Sequence, residues 1–403
     1  MKAIELYSNK DHMILVTAIR FKDLKDIVKF TQRTTSNWSD NSENDERSKF
    51  YQRQTNEIRV GNIKRYISNT LFENNDSDIL FPSSMILSIS SDSIEFTKDL
   101  FNVVNFELPI EKQSCLIVDG QHRMKAMFSL YRDIESQFFS EKKLAKILNY
   151  KFNCTILVDY DIWEQAKIFA DVNFNQKPVD RSLYYDIFGE APKFGKDEKL
   201  SDLYVAHELG KFLNSSTKSP LKGFVKNFNS NDGFISQAFL TQQILRLLGS
   251  RGGWNDVVED FKKDDQNRLD LHKKLPKVFV AYFNTIKNEL SDYWPKSIEK
   301  SDSTILSKTT SLGAFLRLLG RINELFKLGL FPNYDKKDLK DLTIEELEKI
   351  FNDIFKPFNK KTLEGKELSE RYFGENSRYR GGGSAGLQSL LFKELAKEIG
   401  ISN

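Results

Sequence analysis

Two kinds of text divide this chain, and the division constrains its fold more than any single motif. Over the first 190 residues, short apolar runs alternate with helically spaced stretches. Residues 13–16, 85–89, 115–118 and 152–158 are apolar runs of strand length, rich in Ile, Leu and Val. Residues 21–31, 58–68, 121–130 and 162–172 instead place apolar side chains at intervals of three and four. Strands feeding helices predict an α/β domain over 1–185. After about Tyr185 the strand-like runs fade. Helical periodicity continues through 203–213, 236–248, 254–261, 277–293, 311–328, 344–355 and 387–399, so 186–403 is expected to be a mostly helical domain. Thr343-Ile344-Glu345-Glu346 has the spacing of a capping box that opens one of these helices. The stretch 36–48 is polar and aperiodic, which predicts a loop, and no repeat of fixed period runs through the chain.

Composition excludes several classes. The 403 residues are 39% hydrophobic, enough for a sizeable core. Lys and Arg number 60 against 57 Asp and Glu, a net charge of +3, so any contact with nucleic acid must use a local patch. The 32 Phe argue against global disorder. Two Cys and four scattered His fit neither a disulfide scaffold nor a zinc cluster. The first five residues carry no signal-peptide pattern and no apolar run is long enough to span a membrane, so a cytoplasmic location is expected.

The chemistry concentrates in Leu116-Ile117-Val118-Asp119-Gly120-Gln121-His122-Arg123-Met124-Lys125-Ala126. A strand ends, a glycine turns the chain, and a helix starts with polar side chains at its mouth. The first N–H groups of a helix lack internal acceptors and the helix dipole makes that end positive, so a phosphate is stabilised there. His122 and Arg123 add donors, Gly120 permits close approach, and Asp119 can cap the helix or help hold a metal. The plain structural alternative is a turn and a cap with a packing histidine.

Asp119-Gly120-Gln121-His122-Arg123 resembles the signature of the DGQHR-domain family. Its members include DndB, tied to DNA phosphorothioation, and DpdB, tied to insertion of 7-deazaguanine bases. Three further boxes carry the resemblance: Tyr51-Gln52-Arg53 with Arg59 and Ile63; Phe81-Pro82-Ser83-Ser84; and Phe169 to Val179, with Ser182-Leu183. More distantly, the layout is similar to the ParB/sulfiredoxin superfamily, whose sulfiredoxin members have Gly-Cys-His-Arg where Gly120-Gln121-His122-Arg123 stands here. The reactive cysteine is missing, which puts sulfinic-acid repair in doubt and leaves nucleotide binding intact.

The resemblance implies a ParB/sulfiredoxin-like mixed-sheet N-terminal domain that binds a nucleotide, ATP or another triphosphate, with Mg²⁺. It implies ATP hydrolysis in support of a partner DNA-modification enzyme. His122, Arg123 and Asp119 would be catalytic. Gly120, Gln121, Gln52, Arg53, Asn173, Gln176 and Lys177 would line the nucleotide cleft, although Asn173 to Lys177 also suit a helix end braced before Pro178. The alternative it implies is a DNA-binding regulator of a modification gene cluster. A homodimer is compatible with either, and a nicking nuclease ranks last.

Two segments lie outside that resemblance. Arg371-Tyr372-Phe373 and Arg378-Tyr379-Arg380-Gly381-Gly382-Gly383-Ser384-Ala385-Gly386 form a basic, aromatic, glycine-rich stretch. Arg371, Arg378 and Arg380 are candidate DNA contacts, against the alternative of a linker to a docking helix. Arg246 to Trp254 joins two helices through glycines, which suits a helix-turn-helix reader or, more simply, a helix hairpin.

Overall fold

A computed structural model describes residues 1–30, 56–73, 81–93, 96–99, 102–137, 140–174, 185, 201–226, 232–249, 252–257, 265–299, 302–331, 334–335, 337–381 and 383–401. The chain divides into two compact units, one holding residues 1–34 and 43–179, the other 35–42 and 180–403.

The first unit is built on a mixed eight-stranded sheet. Its strands are β1 (Lys2–Ser8), β2 (Met13–Arg20), β3 (Val28–Lys29), β4 (Met85–Ile89), β5 (Phe96–Lys98), β6 (Val103–Phe106), β7 (Cys115–Asp119) and β8 (Lys151–Val158). Their order is β3-β7-β4-β8-β2-β1-β6-β5. β4 is central, parallel to β8 and antiparallel to β7. All five of its residues are buried, which is why it reads as an unbroken apolar run rather than an alternation. Met85, Leu87, Cys154, Ile156 and Ile117 point into the main core. Ile86, Leu157 and Val118 are buried apart from it, on the opposite face, where α5 (Ile162–Phe174) packs against β7.

Helices α1 (Phe21–Leu24), α2 (Glu57–Phe72), α3 (Gln121–Glu135) and α4 (Glu141–Asn149) pack against one another. α3 contributes Met124, Met127, Leu130 and Ile134 to the core, and α2 contributes Val60 and Ile67. Lys64 pairs with Asp133 across α2 and α3. The helix expected over 21–31 is only four residues long. Beyond it Val28-Lys29 forms β3, which pairs with β7, and Cys115 N–H donates to Ile27 O at 3.0 Å. β1, β6 and α4 are elements the sequence reading did not single out.

The second unit is helical: α6 (Ser201–Ser215), α7 (Gln237–Leu248), α8 (Asp265–Glu289), α9 (Thr309–Leu328), α10 (Ile344–Ile354), α11 (Leu363–Phe373) and α12 (Ala385–Glu398). Two short parallel strands, β9 (Val225–Lys226) and β10 (Ile235–Ser236), precede α7. Its core absorbs much of the phenylalanine, with Phe279, Phe283, Phe315, Phe326, Phe351 and Phe355 each 2% exposed or less. Tyr282 is fully buried and donates its hydroxyl to Phe315 O at 2.8 Å, so burial pushes its pKa well up. The capping box opens α10 as expected: Glu346 N–H donates to Thr343 Oγ1, and Thr343 N–H to Glu346 Oε2.

Candidate functional site

Gly120 is the N-cap of α3 and has φ +104°, a left-handed conformation that L side chains rarely adopt. A Cβ there would also lie 2.9 Å from Met85 Cγ and 3.3 Å from Arg123 Nη2. Just before it, the β4–β7 pairing slips at Ile86/Leu87, a bulge that re-aims the end of β7. Glycine caps without a side chain, so the mouth of α3 offers its first N–H groups with no side-chain cap from that residue.

A second helix N-terminus meets the first. Asn56 caps α2, accepting from Arg59 N–H at 3.0 Å. Its own N–H donates to His122 Nε2 at 3.3 Å. Nε2 is therefore an acceptor, and the neutral ring carries its proton on Nδ1. Burial pushes the His122 pKa below its usual value, and the nearby positive charges of Arg59 and Lys125 push it the same way, against Asp119 and Glu57. Burial also lowers Lys125, whose ammonium lies 5.5 Å from the centre of the Phe30 ring. Two positive helix ends, an imidazole, Arg59 and Lys125 thus share one neighbourhood, an arrangement suited to an anion carrying several negative oxygens.

Arg123 is placed differently from its neighbours. Nη1–H donates to Ser83 O at 2.7 Å and Ser83 Oγ at 3.0 Å; Nη2–H donates to Ser84 O at 3.0 Å and Asp119 Oδ2 at 3.4 Å. The guanidinium also sits 5.8 Å from the Phe81 ring centre, and the side chain is 13% exposed. Ser84 Oγ accepts from Thr155 Oγ1 at 3.1 Å, and Phe81 stacks on Phe152. Arg123 therefore pins the 81–84 segment to the turn. Burial lowers its pKa, and Asp119 opposes that.

Of the residues expected at the site, Asp119, Gly120, Gln121, His122 and Arg123 sit together; Gln121 is buried. Gln52, Arg53, Gln176 and Lys177 lie outside the described residues, as does the 36–48 stretch. Asn173 is in the last turn of α5. Asn56 and Lys125 complete the site without having been singled out for it. Each was visible as a polar residue at a helix start: Asn56 stands just before the periodic residues of α2, and Lys125 stands three residues after His122.

In the second unit, Arg378 pairs with Glu394, whose other oxygen accepts from Tyr379 OH at 2.5 Å. Arg380 donates to Glu375 O at 3.0 Å, and Arg371 lies 4.0 Å from Glu398. Tyr372, Phe373 and Tyr379 are core residues, 1–4% exposed, so they are not placed to stack on bases. Among the described residues no helix is long and apolar enough to cross a membrane, and no group of three or more His, Cys, Asp or Glu is assembled for a metal ion.

No curated protein and no solved structure matches the chain. The sequence model of the family described as DndB, DNA-sulfur modification-associated, matches residues 2–203, the stretch that contains the whole turn and every strand of the large sheet. The chain belongs to the DndB family of DNA-sulfur modification-associated proteins.

Proposed function

We propose that the turn at 119–123 binds the phosphate groups of a nucleotide, and that this binding serves DNA sulfur modification. The observation that carries the reading is the meeting of the α2 and α3 N-termini at His122, with Arg59 and Lys125 alongside. Of the two modifications suggested by the sequence, the family match favours sulfur over 7-deazaguanine. A ParB/sulfiredoxin-like ancestry would account for a strand–glycine–helix turn beside a second helix end.

In this reading a nucleoside triphosphate places its phosphate oxygens against the α3 N–H groups. The His122 Nδ1–H donates a hydrogen bond, and Arg59 and Lys125 balance the charge. Mg²⁺, arriving with the nucleotide, would neutralise the remaining phosphate charge. Arg123 acts one step back, holding Ser83 and Ser84 against the turn. ATP hydrolysis by water, in support of a partner modification enzyme on DNA, is the active form of this proposal. The commitment of Arg123 to protein acceptors favours a second form: a bound nucleotide acting as a switch in a DNA-binding regulator of the modification genes.

Phosphate release with Mg²⁺, with and without DNA, separates the two. The wild type is compared with His122→Gln and Arg59→Gln, each confirmed as folded. Release by the wild type that both changes abolish supports the ATPase form. Nucleotide binding without release supports the switch. A folded wild type that binds no nucleotide overturns both.

A further inference from the structure

Outside the turn, the second unit places two arginines on packed helices with no carboxylate partner among the described residues. Arg246 lies in the last turn of α7 and is exposed. Arg317 lies midway along α9, which packs on the end of α7 so closely that a Cβ at Gly320, one turn beyond Arg317, would lie 2.8 Å from Leu247 Cδ2, next to Arg246. Arg317 Nη1–H donates to Ser389 Oγ of α12 at 2.5 Å, and Arg246 Nη1–H to Gln243 Oε1 at 3.2 Å. Neither arginine has a carboxylate partner among the described residues. The sequence shows why: no Asp or Glu occurs in 237–248, 309–323 or 385–393. Elsewhere in this unit several cations have carboxylate partners. Lys327 and Lys340 share Asp256 and Asp338, and Arg378 has Glu394.

Like charges held near one another repel, and at Arg317 partial burial adds to the cost. Burial, and then the charge of Arg246, lower the pKa of Arg317. An anion relieves both effects, and arginine's planar donor fork suits phosphate oxygens. Lys393, one turn beyond Ser389 on α12, extends the cationic face and is exposed. A phosphate that belongs to a chain gains from such a face, because several contacts add.

We propose that Arg246 and Arg317, with Ser389 orienting Arg317, form a second phosphate-binding site, separate from the turn at 119–123. Its ligand class is a phosphate group, carried on a DNA backbone or as a free anion, and the two sources are told apart by experiment. The full-length chain is titrated with duplex DNA at several salt concentrations and, separately, with inorganic phosphate. Arg246→Ala, Arg317→Gln and Arg317→Lys are run beside the wild type.

For a backbone phosphate, Arg246→Ala and Arg317→Gln each weaken DNA binding whatever its sequence. Each also lowers the slope of log affinity on log salt by about 1. Arg317→Lys keeps most of the slope. For a free anion the losses appear in the phosphate titration instead. Glutamine at 317 retains a donor for Ser389, and thermal melting confirms that each variant is folded. Unchanged titrations in both arms, or a wild type that binds neither ligand, would overturn the site.

Discussion

An arginine one turn into a helix finds whatever acceptors lie within reach, and at Arg123 those belong to the chain itself. Residue type alone suggests a phosphate ligand there. Only the folded position of Phe81 to Ser84, supplied from forty residues away, shows a strut. Arg123→Ala should therefore cost about 1.5–3 kcal/mol of stability, because the 81–84 segment loses its charge-assisted hydrogen bonds to the turn. Arg123→Lys should recover only part of that, since an ammonium cannot form the fork; urea denaturation measures both. Gly120 was legible as a turn residue, and its positive φ supplies the reason. Gly120→Ala should destabilise by about 1–3 kcal/mol through strain and the contact with Met85. His122 gives a pH signature. Its folded pKa is depressed, so the associated stability is full above the unfolded value of about 6.5 and is lost as pH falls through the folded value. Anion binding opposes that depression. Nucleotide affinity should thus strengthen as pH drops below about 6.5, with proton uptake measurable by calorimetry in buffers of different ionisation enthalpy, and His122→Gln should remove the effect.

At the scale of elements, periodicity located the long helices because their buried faces repeat every three to four residues, and the Thr343 box fixed one start. Thr343→Ala should cost about 1 kcal/mol, read from the thermal melt. Short elements were harder to see. β1 exposes Ile4, Leu6 and Tyr7, so its alternation does not separate an inside from an outside. β3 is two residues whose pairing with β7 depends on tertiary contact. The segment 371–386 looked like a nucleic-acid arm because arginine and tyrosine suit that role. Packing places the rings in the core, while Arg371 and Arg378 stay exposed beside Glu398 and Glu394. The pairs around Lys340 could not be read from spacing, since Asp256 is 84 residues away. Burial lowers the Lys340 pKa, but hydrogen bonds from Lys340 to Asp256 and Asp338 outweigh that and raise it. Lys340→Ala should leave those carboxylates under-compensated and destabilise the second unit by about 2–3 kcal/mol, measurable by urea denaturation.

At the scale of the molecule, the change of text near residue 185 marks two kinds of unit, a mixed sheet with helices and a helical body. The family match falls over the first, where the turn stands, and the cationic pair lies in the second. The most direct test of the central claim is an equilibrium titration of the full-length protein with ATP and Mg²⁺, wild type beside Arg59→Gln and Lys125→Gln. Thermal melting confirms that each variant is folded. Saturable binding that each change weakens several-fold is the predicted result. Binding that neither change touches, or a folded wild type that does not bind, would contradict the assignment of the 119–123 turn as a phosphate site.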